Sequence, residues 1–132
     1  MAAHLTKVRV YYEDTDFSGN VYHAAYLKFC ERGRTELLRD LGIHHSELIK
    51  DGIAFAVRSM TIDFIAAAHI DDELTVSTRV VETTGVRLRL QQTITRGETV
   101  LTEVAVDVVT IKPGGGVARL PKAMLARLQS AA

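Results

Sequence analysis

The sequence predicts an α+β protein in which one long helix covers one face of an antiparallel sheet of about five strands. Three observations lead there. A single stretch, from about Tyr22 to Leu41, carries apolar residues at helical spacing for about five turns. Five other stretches alternate, or are rich in β-branched and aromatic residues, as strands with a buried face are. The links "HIDD", "TTG" and "RGE" between the later strands suit hairpins or tight connections. A lone helix with an apolar stripe needs a broad surface to cover, and a sheet with one apolar face supplies it.

In chain order, "HLTKVRVYYE" comes first, with Val8, Val10 and Tyr12 on one face and Lys7, Arg9 and Tyr11 on the other. In the helical stretch, Tyr22, Tyr26, Phe29, Gly33, Leu37 and Leu41 form the stripe, while Lys28, Glu31, Arg32, Arg39 and Asp40 lie off it. Gly33 within the stripe is worth about 1 kcal/mol less than alanine, which points to close packing against another backbone. Gly42 is a stop signal. "HHSELIKDG" reads as one more short helical piece, and "IAFAVRSMTIDFIA" as a long strand. "ELTVSTRVVE" sets Leu74, Val76, Thr78 and Val80 against Thr75, Ser77 and Arg79. "VRLRLQQTIT" sets Val86, Leu88, Leu90 and Ile94 against Arg87, Arg89, Gln91 and Thr93. "TVLTEVAVDVVTIK" repeats the habit with Val104, Val106 and Val108, and "LPKAMLARLQ" closes the chain as a short helix with Pro121 near its start. The far sheet face carries Arg87, Arg89, Glu103 and Asp107, and the exposed sheet edges favour pairing with a second copy.

At 132 residues, with 47% hydrophobic and 24% charged residues, the chain fits one soluble domain spanning 1–132. Sixteen basic residues balance sixteen acidic ones, so nothing global points to nucleic acid or to an anionic membrane surface. One cysteine, Cys30, forbids an intramolecular disulfide and a multi-cysteine zinc site; among Leu27, Phe29 and Leu37 it reads as a buried, inert thiol. His44, His45 and His69 lack partners at metal spacing and read as surface or turn residues. Met1 to Lys7 holds no apolar run of signal-peptide length and no segment is long enough to span a bilayer, so the expected location is the cytoplasm.

The densest polar chemistry is "EDTDFSGNVYH", Glu13 to His23. Three readings compete. Asp14, Asp16, Ser18 and Gly19 fit the first half of a calcium loop, but the position that needs a bidentate glutamate is Ala25, and a strand rather than a helix precedes the loop. A structural reading makes Ser18 or Asn20 the helix N-cap, leaves Asp14 structural, and uses Gly19 for a positive φ. It accounts less well for Asp16 and His23 together. A catalytic reading uses the free N–H groups of a helix start to stabilise charge on a substrate oxygen, with a carboxylate to activate water or attack directly and a histidine to trade protons.

The residues resemble a known family. "RVYYEDTDFSGNVYHAAYLKFCERGRTELL", Arg9 to Leu38, is similar to the opening signature of the hot-dog-fold acyl-CoA thioesterases of the 4-hydroxybenzoyl-CoA thioesterase-like group. The likeness is greatest to the Tol-Pal-associated branch, and "FAVRSMTIDFIAAAHIDDELTV" and "LPKAML" extend it over nearly the whole chain. The resemblance implies a long helix wrapped by a curved antiparallel sheet, dimerised through the sheet and often doubled to a homotetramer. It implies hydrolysis of an acyl-CoA, with Asp16 as catalytic carboxylate and the backbone N–H at His23 polarising the thioester carbonyl. Coenzyme A is then part of the substrate, and no cofactor or metal is implied. Asn20 departs from the apolar residue or histidine usual after the glycine, which bears on the shape of the acyl pocket.

Around these two residues, Gly19, Tyr22 and Tyr26 are candidates for the substrate site, although tyrosines at helical spacing are more often core. "VRSMT" resembles the strand that faces the partner's carboxylate in this family, which would bring Arg58 and Ser59 to the site's border. Arg87 and Arg89 share a strand face and are candidates for the CoA phosphates. The acyl groups expected are short to medium, delivered on CoA or on an acyl carrier protein. Two alternatives stand beside hydrolysis: a dehydratase or hydratase acting through His23 and a carboxylate, and a non-catalytic acyl-CoA-binding or scaffold protein.

Overall fold

The computed structural model describes residues 3–132, so the first two residues of the N-terminal stretch weighed above lie outside it. The elements are β1 (His4–Arg9), α1 (His23–Asp40), α2 (His45–Leu48), β2 (Ala54–Phe64), β3 (Glu73–Thr83), β4 (Arg87–Arg96), β5 (Thr99–Ile111) and α3 (Lys122–Ala131). All five strands join one antiparallel sheet in the order β1-β3-β4-β5-β2. The α+β arrangement of one long helix against one sheet face is the expected one.

Backbone partners point their side chains to the same face, so the register lays out the inner surface in rows. Val76, Ile94 and Thr102 form one row; Thr78, Gln92 and Val104 the next; Val80, Leu90 and Val106 the third. All nine are buried. Onto them α1 lays Tyr26, Phe29, Cys30, Gly33 and Leu37. Gly33 allows this approach: a Cβ there would stand 2.7 Å from Val76 Cγ1 and 3.0 Å from Thr78 Oγ1. Burial pushes the Cys30 thiol up to about 11, so it is an inert part of the core. The helix ends where expected. Gly42 takes φ 76°, its N–H donates to the Arg39 carbonyl, and Ile43 N–H donates to Leu38.

Three features depart from the sequence reading, and a fourth, at Gln92, is one that it does not single out. Tyr12 is 81% exposed, because the chain leaves the sheet after Arg9 and coils into a 3-10 turn, Tyr12–Asp14. The helix begins at His23, with Tyr22 outside it at the N-cap position. Gln92 lies on the buried face at 0% exposure, donating from Nε2 to the Cys30 carbonyl (2.8 Å) and to Thr78 Oγ1 (2.9 Å). Its Oε1 accepts from Arg34 Nη1 at 3.0 Å. Finally, the link containing "HIDD" is not a hairpin: β2 lies at one sheet edge, beside β5, so residues 65–72 cross the end of the sheet to reach β3.

Because Gly33 has no room for a methyl, Gly33→Ala is expected to destabilise the protein by about 1–3 kcal/mol, the usual range for overpacking. Urea unfolding measures it; an unchanged midpoint would show that the approach at Gly33 does not set the helix-to-sheet distance.

Candidate active site

The polar stretch folds as a closed loop just before α1. A β-bridge pairs Thr15 with Val21, Asp16 N–H donates to the Asn20 carbonyl (2.9 Å), and Gly19 takes φ 86° to turn the chain. Asp14 is structural: its carboxylate accepts the Tyr11 N–H at 2.8 Å. Asp16 organises the loop. Its Oδ1 accepts the Ser18 N–H at 2.7 Å and the Ser18 hydroxyl, while Oδ2 has no protein donor among the described residues. The Ser18 hydroxyl first, then the Ser18 N–H, hold the Asp16 carboxyl below its ordinary value of 3.8, with burial opposing only weakly. Asp16 is therefore an exposed carboxylate, ionised at neutral pH, with one oxygen facing outward.

Neither Ser18 nor Asn20 caps α1, contrary to the structural reading. Ser18 is turned to Asp16, Asn20 is held in a bridge to His69, and Tyr22 makes no side-chain cap bond. The first helical N–H groups, at His23 and Ala24, thus have no acceptor within the helix, and the positive end of its dipole is open.

This helix start and the Asp16 loop border one cavity of about 380 Å³. Asp16, Tyr22, His23 and Tyr26 line it together, with Phe64 and Ile65 from the end of β2 opposite. The His23 ring lies 4.4 Å from that of Tyr22 and 6.5 Å, edge-on, from that of Phe64. Tyr26 is buried and accepts the Ala68 N–H on its hydroxyl at 3.0 Å, which fixes the wall formed by residues 65–68. Arg96 steadies the next turn by donating to Asp72 at 2.9 Å and to the Ala67 carbonyl at 3.0 Å.

The remaining candidates lie elsewhere. Gly19 shapes the loop but does not line the cavity. Ser59 pairs in the sheet with Asp107, and Arg89 does so from the other side, both on the outer face. Arg87 donates to both Asp107 oxygens, Arg89 lies 3.9 Å from one of them, and Arg58 adds to the field that holds the Asp107 carboxyl down, after the Arg87 hydrogen bond as chief cause. Within one chain these four residues form a charge network around Asp107, on the sheet face opposite α1. The sequence reading missed Phe64 and Ile65. Nothing in "DFIAAAH" distinguishes a cavity wall from an ordinary strand end.

The profile of the thioesterase-like superfamily matches residues 10–128. The chain belongs to that family. Among its members, the acyl-CoA thioester hydrolase YbgC of Escherichia coli O157:H7 is 43% identical over 124 residues, covering 92% of each chain. The acyl-CoA thioesterase YbgC of Haemophilus influenzae is 44% identical over 108 residues, 81% of this chain and 79% of that one. Among solved structures, a probable thioesterase from Bartonella henselae superimposes with a TM-score of 0.86 at 44% identity, covering 91% of this chain and all of that one. The thioesterase-like chain has the hot-dog fold, its long helix wrapped by the sheet. Among the described residues no helix is long and apolar enough to cross a membrane.

Tyr26→Phe removes the acceptor of the Ala68 N–H and is expected to destabilise the protein by about 1–3 kcal/mol. Hydrogen exchange at the Ala68 amide reads it directly. Protection equal to that of the parent protein would mean that another group holds this wall.

Proposed function

We propose that the protein hydrolyses acyl-CoA thioesters of short to medium chain length to a free carboxylic acid and CoA. The observation that carries this is the pairing, in one cavity, of an ionised carboxylate whose Oδ2 has no donor among the described residues with a helix start whose His23 and Ala24 N–H groups have no acceptor within the helix. Family membership and the names of the YbgC relatives support the same reading.

The thioester carbonyl oxygen sits against the N–H groups at His23 and Ala24, where the dipole stabilises the negative charge of the tetrahedral intermediate. Asp16 Oδ2 either takes a proton from the attacking water or attacks the carbonyl carbon itself, giving a mixed anhydride that water then opens. In both routes the C–S bond breaks, the thiolate of CoA leaves and takes up a proton, and Asp16 ends as it began. The His23 imidazole, beside Tyr22 and Phe64, borders the leaving group's path. Coenzyme A is part of the substrate, and the reaction calls for neither metal nor cofactor.

The active unit is a homodimer that doubles to a homotetramer in the cytoplasm, with CoA or an acyl carrier protein as the acyl donor. β2 is an edge strand, which leaves room for the pairing that the family resemblance implies, with Arg58 and Ser59 facing the partner's Asp16. Arg89 is the freer of the two arginines proposed for the CoA phosphates, since Arg87 is held by Asp107.

The test is thiol release from a panel of short, medium, long and aromatic acyl-CoAs. Asp16→Ala is expected to lower kcat by about 10²–10⁴-fold, the range for a positioned acid or base. An Asp16→Ala protein of undiminished activity would remove Asp16 from the mechanism. Consumption of the acyl-CoA without free thiol would point to a dehydratase or hydratase instead.

The pH profile gives a second test. Activity needs ionised Asp16, whose lowered pKa keeps it ionised to below 3.8. Ser18→Ala removes the chief cause of that lowering, so the acid limb of kcat/KM is expected to move to higher pH. A limb that stays in place would sever the Ser18 contact from catalysis.

A further inference from the structure

A second cavity, of about 110 Å³, opens three turns further along α1, between that helix and the start of β2. Its walls are apolar, built by Leu38, Phe55, Val57, Leu88, Leu90 and Val108. Its lining also holds a cation. Arg34 lines the cavity, half-buried, and has one hydrogen bond among the described residues, from Nη1 to Gln92 Oε1. A guanidinium has five N–H donors, and no carboxylate of the described residues lies within 4.0 Å of this one. Glu31, the acidic residue in the lining, is exposed and accepts instead from the Thr35 hydroxyl at 2.9 Å. Thr35 in turn lies 3.3 Å from His45 Nε2. Glu31 acts on Arg34 only as a more distant charge, beyond 4.0 Å. A half-buried arginine with no carboxylate in contact, lining an apolar cleft, is matched to a planar anion arriving on an apolar stem.

The cavity is aligned with the active site. Arg34 follows His23 by eleven residues, which at 100° per residue returns it to within about 20° of the same helix face. The same stripe carries Leu27, which is 40% exposed. Across from it, Val57, Met60, Ile62 and Phe64 of β2 all pair with inward-facing residues of β5 and so face the helix side. Phe64 stands at His23 and Val57 at the Arg34 cavity. β2 therefore runs alongside α1 from one cavity to the other, and its inner apolar side chains are only partly covered. The helix rise puts His23 and Arg34 roughly 16 Å apart along the axis. With bonds of about 1.5 Å at tetrahedral angles, that is the reach of a chain of roughly a dozen atoms.

We propose that the Arg34 cavity receives a carboxylate at the far end of the acyl chain, so that the preferred substrates are medium-length acyl-CoAs ending in a second carboxyl group. This rests on the hydrolase reading above and adds a substrate class to it. The apolar seam between α1 and β2 holds the methylene chain. Arg34 takes the distal carboxylate through the donors that Gln92 leaves free.

The experiment compares matched pairs: the mono-CoA thioesters of ten- and twelve-carbon dicarboxylic acids against decanoyl-CoA and dodecanoyl-CoA, with succinyl-CoA against butyryl-CoA as the short pair. The wild-type protein is expected to favour the carboxylated member of the long pairs by tenfold or more in kcat/KM, and to show no such preference in the short pair. Arg34→Gln is expected to bring the long-pair ratio to within twofold of unity. Arg34 also touches Gln92, so two further variants separate recognition from packing. Arg34→Lys, which keeps the charge, should retain part of the preference, and Val57→Trp, which narrows the cavity away from Gln92, should lose it. A wild-type ratio near or below unity at every length, or a ratio that Arg34→Gln leaves in place, overturns the proposal. Calorimetric binding of free dodecanedioate against dodecanoate, with wild-type and Arg34→Gln protein, needs no turnover. If no thioester is cleaved but Arg34→Gln weakens dodecanedioate binding tenfold or more, the hydrolase reading fails and the subsite stands. If plain acyl-CoAs are cleaved and neither measurement discriminates, the subsite alone fails.

Discussion

The contact between α1 and the sheet at Gly33 and Gln92 governs the rest of the molecule. With no side chain at Gly33, the helix backbone settles against Val76 and Thr78. The Gln92 amide then reaches up from the sheet to the Cys30 carbonyl, takes in Thr78, and accepts from Arg34. A buried amide left unpaired costs about 1–3 kcal/mol per group, so a helix displaced from this seat would forfeit both packing and hydrogen bonds. Because the polar contacts are directional, they define the helix's rotation as well as its height. That rotation places the His23 side of α1 toward the end of β2.

The site then arises at the place where local rules are left unfulfilled. A helix start normally draws a Ser, Thr, Asp or Asn cap, and five such residues stand in the loop before this one, at Asp14, Thr15, Asp16, Ser18 and Asn20. None caps the helix: Asp14 accepts the Tyr11 N–H, Thr15 donates to the Tyr12 carbonyl, Ser18 donates to Asp16, and the Asn20 backbone is held in a bridge to His69. What remains is a helix N-terminus with open donors beside a carboxylate whose second oxygen is also open. Such departures from local consistency tend to mark functional positions. The surroundings compensate, since Tyr26, Arg96 and Asp72 tie the 65–72 crossing to the helix and the sheet.

The two faces of the sheet carry different chemistry. The inner face is apolar apart from Thr78, Gln92, Thr102 and Thr110. The outer face gathers Arg58, Ser59, Arg87 and Arg89 around Asp107, where the Arg87 hydrogen bonds draw the carboxyl below its ordinary range. The pair is only partly buried, so water still screens it in part and its net contribution to stability is modest. A register shift between Val57 and Ser59 lets β2 serve both faces, with Val57 turned inward and Ser59 outward.

Much of this was legible in the letters alone. Apolar spacing located α1 and all five strands because burial of one face imposes a period on any sequence that folds this way. Gly33 stood out as a close-contact glycine, and the clustering of Asp16, Gly19 and His23 was visible because those residues are neighbours in the chain. Tyr12 misled because its letters continue an alternation that the backbone abandons after Arg9. Tertiary structure alone decided the rest. Strand order is set by which surfaces meet, so no local pattern could move β2 to the edge beside β5 or send residues 65–72 across the sheet. That placement brings Phe64 to His23 and leaves Arg34 at the end of an apolar cleft, contacts between residues far apart in sequence. Alternation with Leu90 and Ile94 puts Gln92 on the inner face, but nothing local names its partners, which come from β3 and α1. Periodicity records which way a side chain points, and only the packed fold determines what it meets there.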